Sequence, residues 1–290
     1  MFNFHQPTVK DIPLLQRALN EAQPTSCEFS VGNILGWCSH YGAEIAEIDN
    51  CVVSRIKKKN LCGFPKGKNY EAAISTLESE LPDHGFYGLT VSERDTLELL
   101  RPGKYTYTPT RASFDYVYRV DTLAQLPGKK YHAKRNHISY FEKTYNWKYE
   151  EINRDNISDC MKMSEKWYEI NTDKNPDEIK AESEVLDLAF DCYNSGLIDY
   201  VGGLIRIDGD VVAFTFGEKL NDNMFDTHFE KAFADIRGAY PIINREFARN
   251  TINGFEFVNR EDDMDSEGLR KAKLSYHPEF LVEKFTAVIK

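Results

Sequence analysis

Three side chains that can exchange protons alternate along the segment FDTHFE. Asp226, His228 and Glu230 are each separated by one residue. Because side chains alternate between the two faces of a β-strand, this spacing predicts that the three share one face. Carboxylates and imidazoles are common general acids and bases, so we expect all three to be catalytic. No further histidine follows at ligand spacing, and we expect no metal. A strand at a sheet edge with one solvated face would explain the same pattern.

A second charged group begins where the next predicted strand, residues 255–258, ends. Glu261 is a further catalytic candidate there. A helix predicted to begin at Ser266 and end at Pro278 follows, and Arg270 and Lys273 are neighbours on it. Acids can recognise an amino group and bases can recognise a phosphate. We expect the acceptor or phosphate to be bound by Asn259, Arg260, Asp262, Arg270, Lys271 and Lys273. A solvated turn and helix is the alternative.

A glycine turn before a helix forms a third candidate. Arg237, Gly238 and Ala239 precede a helix predicted over residues 240–250, with Pro241 in its first turn. Free backbone N–H groups at a helix N-terminus can hold a phosphate, so we expect these three residues to bind a donor. An ordinary helix entry is the alternative.

The strongest basic patch is the segment KKYHAKRNHISYFEKTY, which follows the turn at residues 126–128. As a helix it places aromatic and aliphatic residues on one stripe and cations on another. We expect residues 126–145 to form a linker helix between domains at residues 1–125 and 146–290. One wall of a groove for donor phosphates is then formed by Lys130, Lys134, Arg135 and His137. A helix with a solvated cationic side is the alternative.

The composition is that of a folded protein. The chain has 290 residues, 41% of them hydrophobic, and a net charge of -10, which argues against uniform coating of nucleic acid. Its six cysteines form no CxxC pair and favour a reduced, cytoplasmic protein. The N-terminal segment is unlike a signal peptide, and no window approaches the roughly 18 apolar residues of a membrane span.

The predicted elements indicate an α+β (mixed α/β) fold. The first half contains helices at residues 12–22, 69–81 and 92–100, with strands predicted at residues 29–37, 43–48, 51–55, 86–91, 105–107 and 114–120. The second half is a strand, two helices, three strands, a glycine turn, a helix, a strand and a helix. This order resembles the GNAT acyltransferase fold, and residues 146–290 follow it more closely than the first half does.

Longer stretches carry a more specific resemblance. GKKYHAKRNHISYF, ADIRGAYPIINREFA and VNREDDMDSEGLRKAKLSYHP resemble segments of the uncharacterised family related to the C-terminal domain of phosphatidylglycerol lysyltransferase. That family has two tandem GNAT-like acyltransferase domains, and the resemblance covers essentially the full length. Full lysyltransferases also carry a multi-span membrane region, which this chain lacks. The loop ADIRGAY only partly matches the Gln/Arg-x-x-Gly-x-Gly/Ala loop of acetyl-CoA enzymes.

The resemblance implies transfer of an aminoacyl group from aminoacyl-tRNA to an acceptor. No GxSxG motif or P-loop is present, which fits direct attack by the acceptor. An acetyl-CoA-dependent N-acetyltransferase and a non-catalytic binding protein are the alternatives, and no cofactor is expected beyond the donor substrate. The implied partners are tRNA and a membrane-surface lipid or cell-wall precursor. We expect Asp226, Glu261 and the helix of Arg270 to project into one polar trench between the two halves.

Overall fold

The computed structural model of the chain describes residues 2–171 and 175–290. Within these ranges the α-helices are α1 Ile12–Ala22, α2 Val31–Tyr41, α3 Tyr70–Glu80, α4 Val91–Leu100, α5 Val120–Gln125, α6 His132–Thr144, α7 Ile157–Ile170, α8 Pro176–Asn194, α9 Ala239–Asn250 and α10 Glu267–Leu274. The strands are β1 Ala43–Ile48, β2 Cys51–Ile56, β3 Leu61–Gly63, β4 Gly85–Thr90, β5 Tyr105–Pro109, β6 Asp115–Arg119, β7 Trp147–Glu151, β8 Val201–Ile207, β9 Asp210–Lys219, β10 Met224–Ala232, β11 Phe257–Asn259, β12 Phe280–Val282 and β13 Lys284–Ile289. None of the described helices combines the length and the apolarity needed to cross a membrane.

Two sheets form the frame of the molecule and exchange strands. The first has the order β1-β2-β3-β4-β13-β5, and the second has the order β12-β6-β11-β10-β9-β8-β7. Strand β6 comes from the first half of the chain but lies between β11 and β12, while the last strand, β13, lies between β4 and β5. The sheets therefore do not divide at residues 125 and 146, and the exchange ties the two halves together.

Residues 29–37 do not form the predicted strand, because most of them belong to helix α2. Ser30 caps this helix by accepting a hydrogen bond from the backbone N–H of Asn33 at 3.2 Å, and Gly42 ends it with φ 63°. The buried apolar residues follow the i, i+3, i+4, i+7 spacing of a helix: Val31, Ile34, Leu35 and Cys38. The aromatic residues in this segment favoured a strand in the sequence, but the cap and the helical spacing decide the structure.

Strand β10 contains a β-bulge between Thr227 and Phe229, where its pairing with β9 shifts. An extra residue in one strand changes the face of every side chain that follows it. Asp226 and His228 consequently lie on the same side of the sheet, whereas Glu230 lies on the opposite side and meets Asn244 of α9. The predicted common face of Asp226, His228 and Glu230 is therefore wrong for Glu230.

Strands β10 and β11 form a wedge. They run parallel but pair only where residues 224–226 meet residues 257–259. Strand β11 ends there, while β10 continues to Ala232. Charged side chains from β10 and from the loop after β11 occupy the two sides of this opening, which brings together residues far apart in sequence.

Helix α6 packs on the second sheet beside α9. Ile138 and Phe141 are buried, as is Tyr131 just before the helix, and Tyr145 packs against the same core. The predicted apolar stripe on this helix is confirmed.

Candidate functional site

A cavity of about 450 Å³ lies between the two halves of the chain. Helix α2 and the first sheet supply much of its lining, including Trp37, Tyr41 and Tyr87, and the loop after β11 supplies residues 261, 262 and 264. Three carboxylates line it, Glu28, Glu261 and Asp262, and none of its described lining residues is lysine or arginine. The cavity is therefore suited to a cationic or amine-bearing ligand with an apolar body.

Glu261 joins this cavity to a buried group that we name the cavity-side cluster: Glu218, Asp226, His228 and Glu261. His228 Nδ1 lies 2.9 Å from Glu261 Oε1 and 3.7 Å from Asp226 Oδ2. On the other side of the ring, His228 Nε2 lies 3.1 Å from Glu218 Oε1. Three carboxylates thus surround one imidazole, and Glu261, whose side chain is 25% exposed, is the member that reaches the cavity.

The first turn of α2 holds two of these carboxylates. The backbone N–H of Gly32 donates to Glu218 Oε1 at 2.6 Å, and Asn33 Nδ2 donates to Glu261 Oε1 at 2.9 Å. A Cβ atom at Gly32 would lie 2.1 Å from Tyr200 Oη, so only glycine permits this close approach. The positive end of the helix dipole also favours carboxylates here. Sequence reasoning missed Gly32 and Asn33 because it assigned this segment to a strand, and it also missed Glu218, which lies on β9.

The protonation of His228 and Asp226 follows from their burial and their neighbours. Burial works against a charged imidazole, but Asp226, Glu218 and Glu261 raise the pKa of His228 well above its usual value. Burial also raises the pKa of Asp226 well above its usual value, against the opposing effect of His228. Both ring nitrogens lie within hydrogen-bond distance of carboxylates, so the imidazole is held between Glu218 and Glu261 and positions Glu261.

The loop that presents Glu261 is conformationally demanding. Glu261, Met264 and Asp265 all have positive φ, at 58°, 47° and 58°. Such residues cost of order 1 kcal/mol or more each and persist only where the surroundings enforce them. Here the N–H of Glu261 donates to Asn259 Oδ1 at 2.7 Å. Asn259 in turn donates to Asp115 Oδ2 at 2.9 Å, so the predicted binding residue Asn259 is a buried anchor of this loop.

Helix α10 fixes the same loop. Lys273 Nζ donates to the carbonyl of Arg260 at 2.6 Å and to that of Asp262. Arg270 binds Asp263 at 2.8 Å and Asp265 at 2.9 Å. Despite the burial of Asp263, these bonds lower its pKa.

The predicted trench therefore forms only in part. Asp226 and Glu261 meet through His228, whereas Arg270 is not among the residues that line the cavity. Its guanidinium is occupied by Asp263 and Asp265. Lys271 is exposed on the same helix.

The opposite side of the wedge carries what we name the far-side cluster: Glu230, Arg260, Asn244 and Lys134. Arg260 binds Glu230 at 2.7 Å, and Asn244 Nδ2 donates to Glu230 at 3.0 Å. Lys134 Nζ lies 3.8 Å from the centre of the Tyr276 ring, and burial lowers the pKa of Lys134 to about 8. Glu230, Arg260 and Asn244 thus bond with one another, Lys134 packs on Tyr276, and none of the four lines the cavity.

Helix α6 covers the N-terminus of α9. A Cβ atom at Gly238 would lie 2.6 Å from the carbonyl oxygen of His137. Arg237 lies over the ring of Tyr140, 4.4 Å from its centre, and the N–H of Ala239 donates to the carbonyl of Ile236 at 3.1 Å. The glycine thus permits helix packing, and the predicted donor site at residues 237–239 is closed by α6.

The other cations predicted for the groove wall, in α6 and just before it, have separate positions. Lys130 is exposed beside the Tyr131 ring, 5.1 Å from its centre. Arg135 donates to the carbonyls of Leu126 and Gly128, at 2.5 and 2.7 Å, and so holds the turn before the helix. Together with half-buried His137, they do not form a continuous groove wall.

A second buried cluster beside the cavity was not predicted. Lys284 of β13 is fully buried and binds Asp115 of β6 and Glu28, each at 2.5 Å. Cys27 Sγ lies 3.2 Å from Asp115 Oδ1, and burial and Asp115 raise the pKa of its thiol well above the usual value. The cluster joins the two exchanged strands, so sequence distance concealed it.

Two groups of described residues place three metal-ligating atoms within 4.8 Å of one another: Cys27, Glu28 and Asp115, and Asp226, His228 and Glu261. In the first group Lys284 already supplies the positive charge. The second group has two carboxylates, and the adjoining Glu218 places a third beside His228.

Comparisons with known proteins agree with this architecture. The chain is 32% identical to a conserved protein of unknown function from Bacteroides thetaiotaomicron, whose crystal structure it matches with a TM-score of 0.90 over 100% of both chains. It matches the structure of L-PGS from Bacillus licheniformis with a TM-score of 0.63 and 14% identity, over 95% of this chain and 91% of that one. At 14% identity, the likeness to L-PGS shows a shared fold alone.

A curated relative is an uncharacterized protein of Mycoplasmoides gallisepticum. It is 26% identical over 176 residues, which are 60% of this chain and 56% of the relative. The match therefore spans little more than half of that relative's length.

Residues 20–288 match the family described as phosphatidylglycerol lysyltransferase, C-terminal. The predicted resemblance and the mixed fold of two tandem GNAT-like domains are confirmed. The family relates to lysyltransferases and to GNAT-type acyltransferases. The chain belongs to the phosphatidylglycerol lysyltransferase C-terminal family.

Proposed function

We propose that the protein is an acyltransferase that moves an aminoacyl group from aminoacyl-tRNA to an acceptor by direct attack. The observation that carries this proposal is the position of Glu261. Of the four predicted catalytic residues, Asp226 and His228 are buried beneath the cavity, Glu230 lies on the far side, and Glu261 lines the cavity. A held carboxylate at an enclosed cavity can accept the proton of an attacking hydroxyl or amine.

Direct attack fits the chemistry of an aminoacyl ester, which is already activated. The protein has only to orient donor and acceptor, remove a proton and stabilise the developing charge. All six cysteines are buried, and burial raises the pKa of Cys27 and of Cys38, the two thiols in the cavity lining. A thiol in that state is a poor nucleophile, which supports a mechanism without a covalent enzyme intermediate.

The carboxylates of the cavity support a substrate that carries an amino group. Glu28, Glu261 and Asp262 line the same space as Trp37 and Tyr41. Carboxylates and aromatic faces together attract an ammonium group. Burial raises the pKa of Asp262 to about 7, so this carboxyl can exchange a proton near neutral pH. We assign the aminoacyl moiety, or an amine of the acceptor, to this cavity.

An aminoacyl donor is favoured over acetyl-CoA by the environment of α9. Acetyl-CoA needs a place for its pyrophosphate, and the loop ADIRGAY only partly matches the loop of acetyl-CoA enzymes. Residues 237–239 in this loop were predicted to bind a phosphate of the donor. Helix α6 packs against Gly238 there, and the Ala239 N–H is engaged by Ile236. We expect the acceptor, whose identity is open, to carry its hydroxyl or amine on a membrane-surface lipid or cell-wall precursor, as the sequence resemblance implies.

A transfer assay tests the function. Purified protein is incubated with a mixture of tRNAs charged with labelled amino acids, together with lipid, cell-wall and small-molecule fractions in turn. We expect label to move into one fraction, with hydrolysis of the ester when no acceptor is added. In parallel, acetyl-CoA is titrated while the melting temperature is followed, since a tight ligand must raise it. Absence of label transfer together with a rise in melting temperature with acetyl-CoA would replace the aminoacyl donor by acetyl-CoA.

A further inference from the structure

We propose that Asp226, His228 and Glu261 bind one divalent transition-metal cation. Their ligand atoms lie within 4.8 Å of one another. His228 Nδ1 is 2.9 Å from Glu261 Oε1 and 3.7 Å from Asp226 Oδ2. Zn²⁺ binds imidazole nitrogen and carboxylate oxygen at about 2.0–2.2 Å, so small side-chain rotations bring all three atoms to one cation.

Asp226 supplies an independent indication of a ligand. Its side chain is completely buried, yet neither carboxylate oxygen accepts a hydrogen bond from any described residue. Leaving a buried polar group without a partner costs about 1–3 kcal/mol, and more for a charged group. Asp226 Oδ2 lies 3.7 Å from His228 Nδ1, which is 2.9 Å from Glu261 Oε1, so the Asp226 carboxylate lies beside the other two ligands. A cation between them would give Asp226 the partner that the protein does not.

The surroundings of the three ligands match those of a metal site. A histidine that binds a metal through one nitrogen usually donates its other N–H to a carboxylate, which fixes the tautomer. His228 Nε2 lies 3.1 Å from Glu218 Oε1, which the Gly32 N–H holds at 2.6 Å. Glu261 is oriented in the same way by Asn33 Nδ2 at 2.9 Å. The outer partners of two ligands are therefore already in place.

The charge of the cluster favours a divalent cation. Glu218, Asp226 and Glu261 bring three carboxylates into a region from which water is largely excluded, and His228 offers at most one positive charge. Buried charges are normally paired or coordinated to metals. The two ligating carboxylates, Asp226 and Glu261, would balance the charge of one divalent cation. Glu218 would then accept a hydrogen bond from the neutral imidazole of His228.

The site opens toward the cavity through Glu261, which leaves a coordination position for a substrate oxygen. A cation there would polarise the ester carbonyl and stabilise the oxyanion formed on attack. This role rests on the proposed transfer function and makes Glu261 a ligand instead of the base. The binding itself does not rest on that function, and it is measured without donor or acceptor.

The test is a calorimetric titration with Zn²⁺ and, separately, with Mn²⁺. The protein is first treated with a chelator and dialysed. We expect about one equivalent to bind. Asp226→Asn, His228→Ala and Glu261→Gln should each weaken binding by at least 100-fold, and Glu218→Gln by about 10–100-fold. His132→Ala, which removes an exposed histidine of α6, is the matched control and should bind as the original chain does.

Metal binding by a surface pair of residues, His5 and Asp11, must be distinguished from binding at this site. Exposed His5 lies 3.0 Å from Asp11, and His5→Ala should leave the stoichiometry and affinity unchanged. The original chain loaded with Mn²⁺ gives a readout that no folding defect can affect, since electron paramagnetic resonance should show coupling to one imidazole nitrogen. The proposal is overturned if no cation binds, if binding survives in folded Asp226→Asn and Glu261→Gln, or if the spectrum is that of hydrated Mn²⁺. None of these outcomes removes the transfer proposal.

Discussion

The two sides of the wedge between β10 and β11 use similar residues in opposite ways. On the far side, Glu230 has Arg260 as a direct partner at 2.7 Å, and Asn244 binds the same carboxylate. On the cavity side, three carboxylates share His228. Each side contains buried polar atoms that lack a hydrogen-bond partner among the described residues. Arg260 and Asn244 each make a hydrogen bond through a different atom, whereas Asp226 accepts no hydrogen bond from the described residues.

The charges paired on the far side stabilise the fold, whereas the carboxylates gathered around His228 on the cavity side are arranged for chemistry. A matched pair such as Glu230 and Arg260 fixes the start of the loop that presents Glu261. An excess of one charge in a buried place costs stability and persists in proteins mainly where it serves a function. The comparison predicts that substitution of Arg260 on the far side and substitution of Asp226 on the cavity side have opposite effects on stability.

Arg260→Met should have the largest effect on stability. The Arg260 side chain is 12% exposed, and its loss leaves the Glu230 carboxylate, 15% exposed, without its cation. Removal of one partner of a buried ion pair typically costs about 3–5 kcal/mol, and we expect the lower end of this range for the unfolding free energy. Chemical denaturation measures it. Arg237→Met, at an exposed arginine, should change little, and equal effects of the two would contradict the comparison.

Asp226→Asn should instead stabilise the metal-free protein, measured in the presence of a chelator. The substitution keeps the shape but replaces a fully buried carboxyl group whose charged form is disfavoured by burial and which accepts no hydrogen bond from the described residues. His228 retains Glu218 and Glu261. We expect the free energy of unfolding to rise by about 1 kcal/mol. A fall of similar size would show that Asp226 is a structural partner of His228.

Lys134→Met should give a small effect that depends on pH. Burial lowers the pKa of Lys134 to about 8. Below that pH the charge is present in both the folded and unfolded chains, and folding bears the cost of partly burying it. As the pH rises from about 8 toward the unfolded value of about 10.4, the folded lysine is neutral and the cost disappears. The variant should therefore be more stable than the original chain at pH 7, with a difference that shrinks by pH 10; a constant difference would contradict this.

Local patterns predicted the parts of the structure that depend on neighbours in sequence. The apolar stripe that includes Ile138 and Phe141 predicted helix α6. Ser266, predicted to begin the last helix, caps α10 by accepting a hydrogen bond from the Leu269 N–H at 3.4 Å. Glu261, Asp226 and His228 were correctly placed near one another, because a strand end and an adjacent strand meet in such a fold.

The remaining features depend on contacts that sequence spacing does not contain. The β-bulge at Thr227 changes the face of Glu230, and nothing in FDTHFE marks it. The exchange of β6 and β13 brings Asp115 to Lys284 across 169 positions. The N-cap and the helical spacing of α2 are present in the sequence, but the aromatic residues of this segment favoured a strand. Because α2 was not predicted, the hydrogen bonds from Gly32 and Asn33 to the carboxylates were missed.

The most direct test of the central claim compares Glu261→Gln with Glu230→Gln in the aminoacyl transfer assay, under conditions where both variants are folded. The two carboxylates lie on opposite sides of one wedge, and Glu261 lines the cavity. Our account predicts that Glu261→Gln lowers the transfer rate by about 10²–10⁴-fold, while Glu230→Gln lowers it by less than about 10-fold. A loss of activity in Glu230→Gln with near-normal transfer by Glu261→Gln would contradict it.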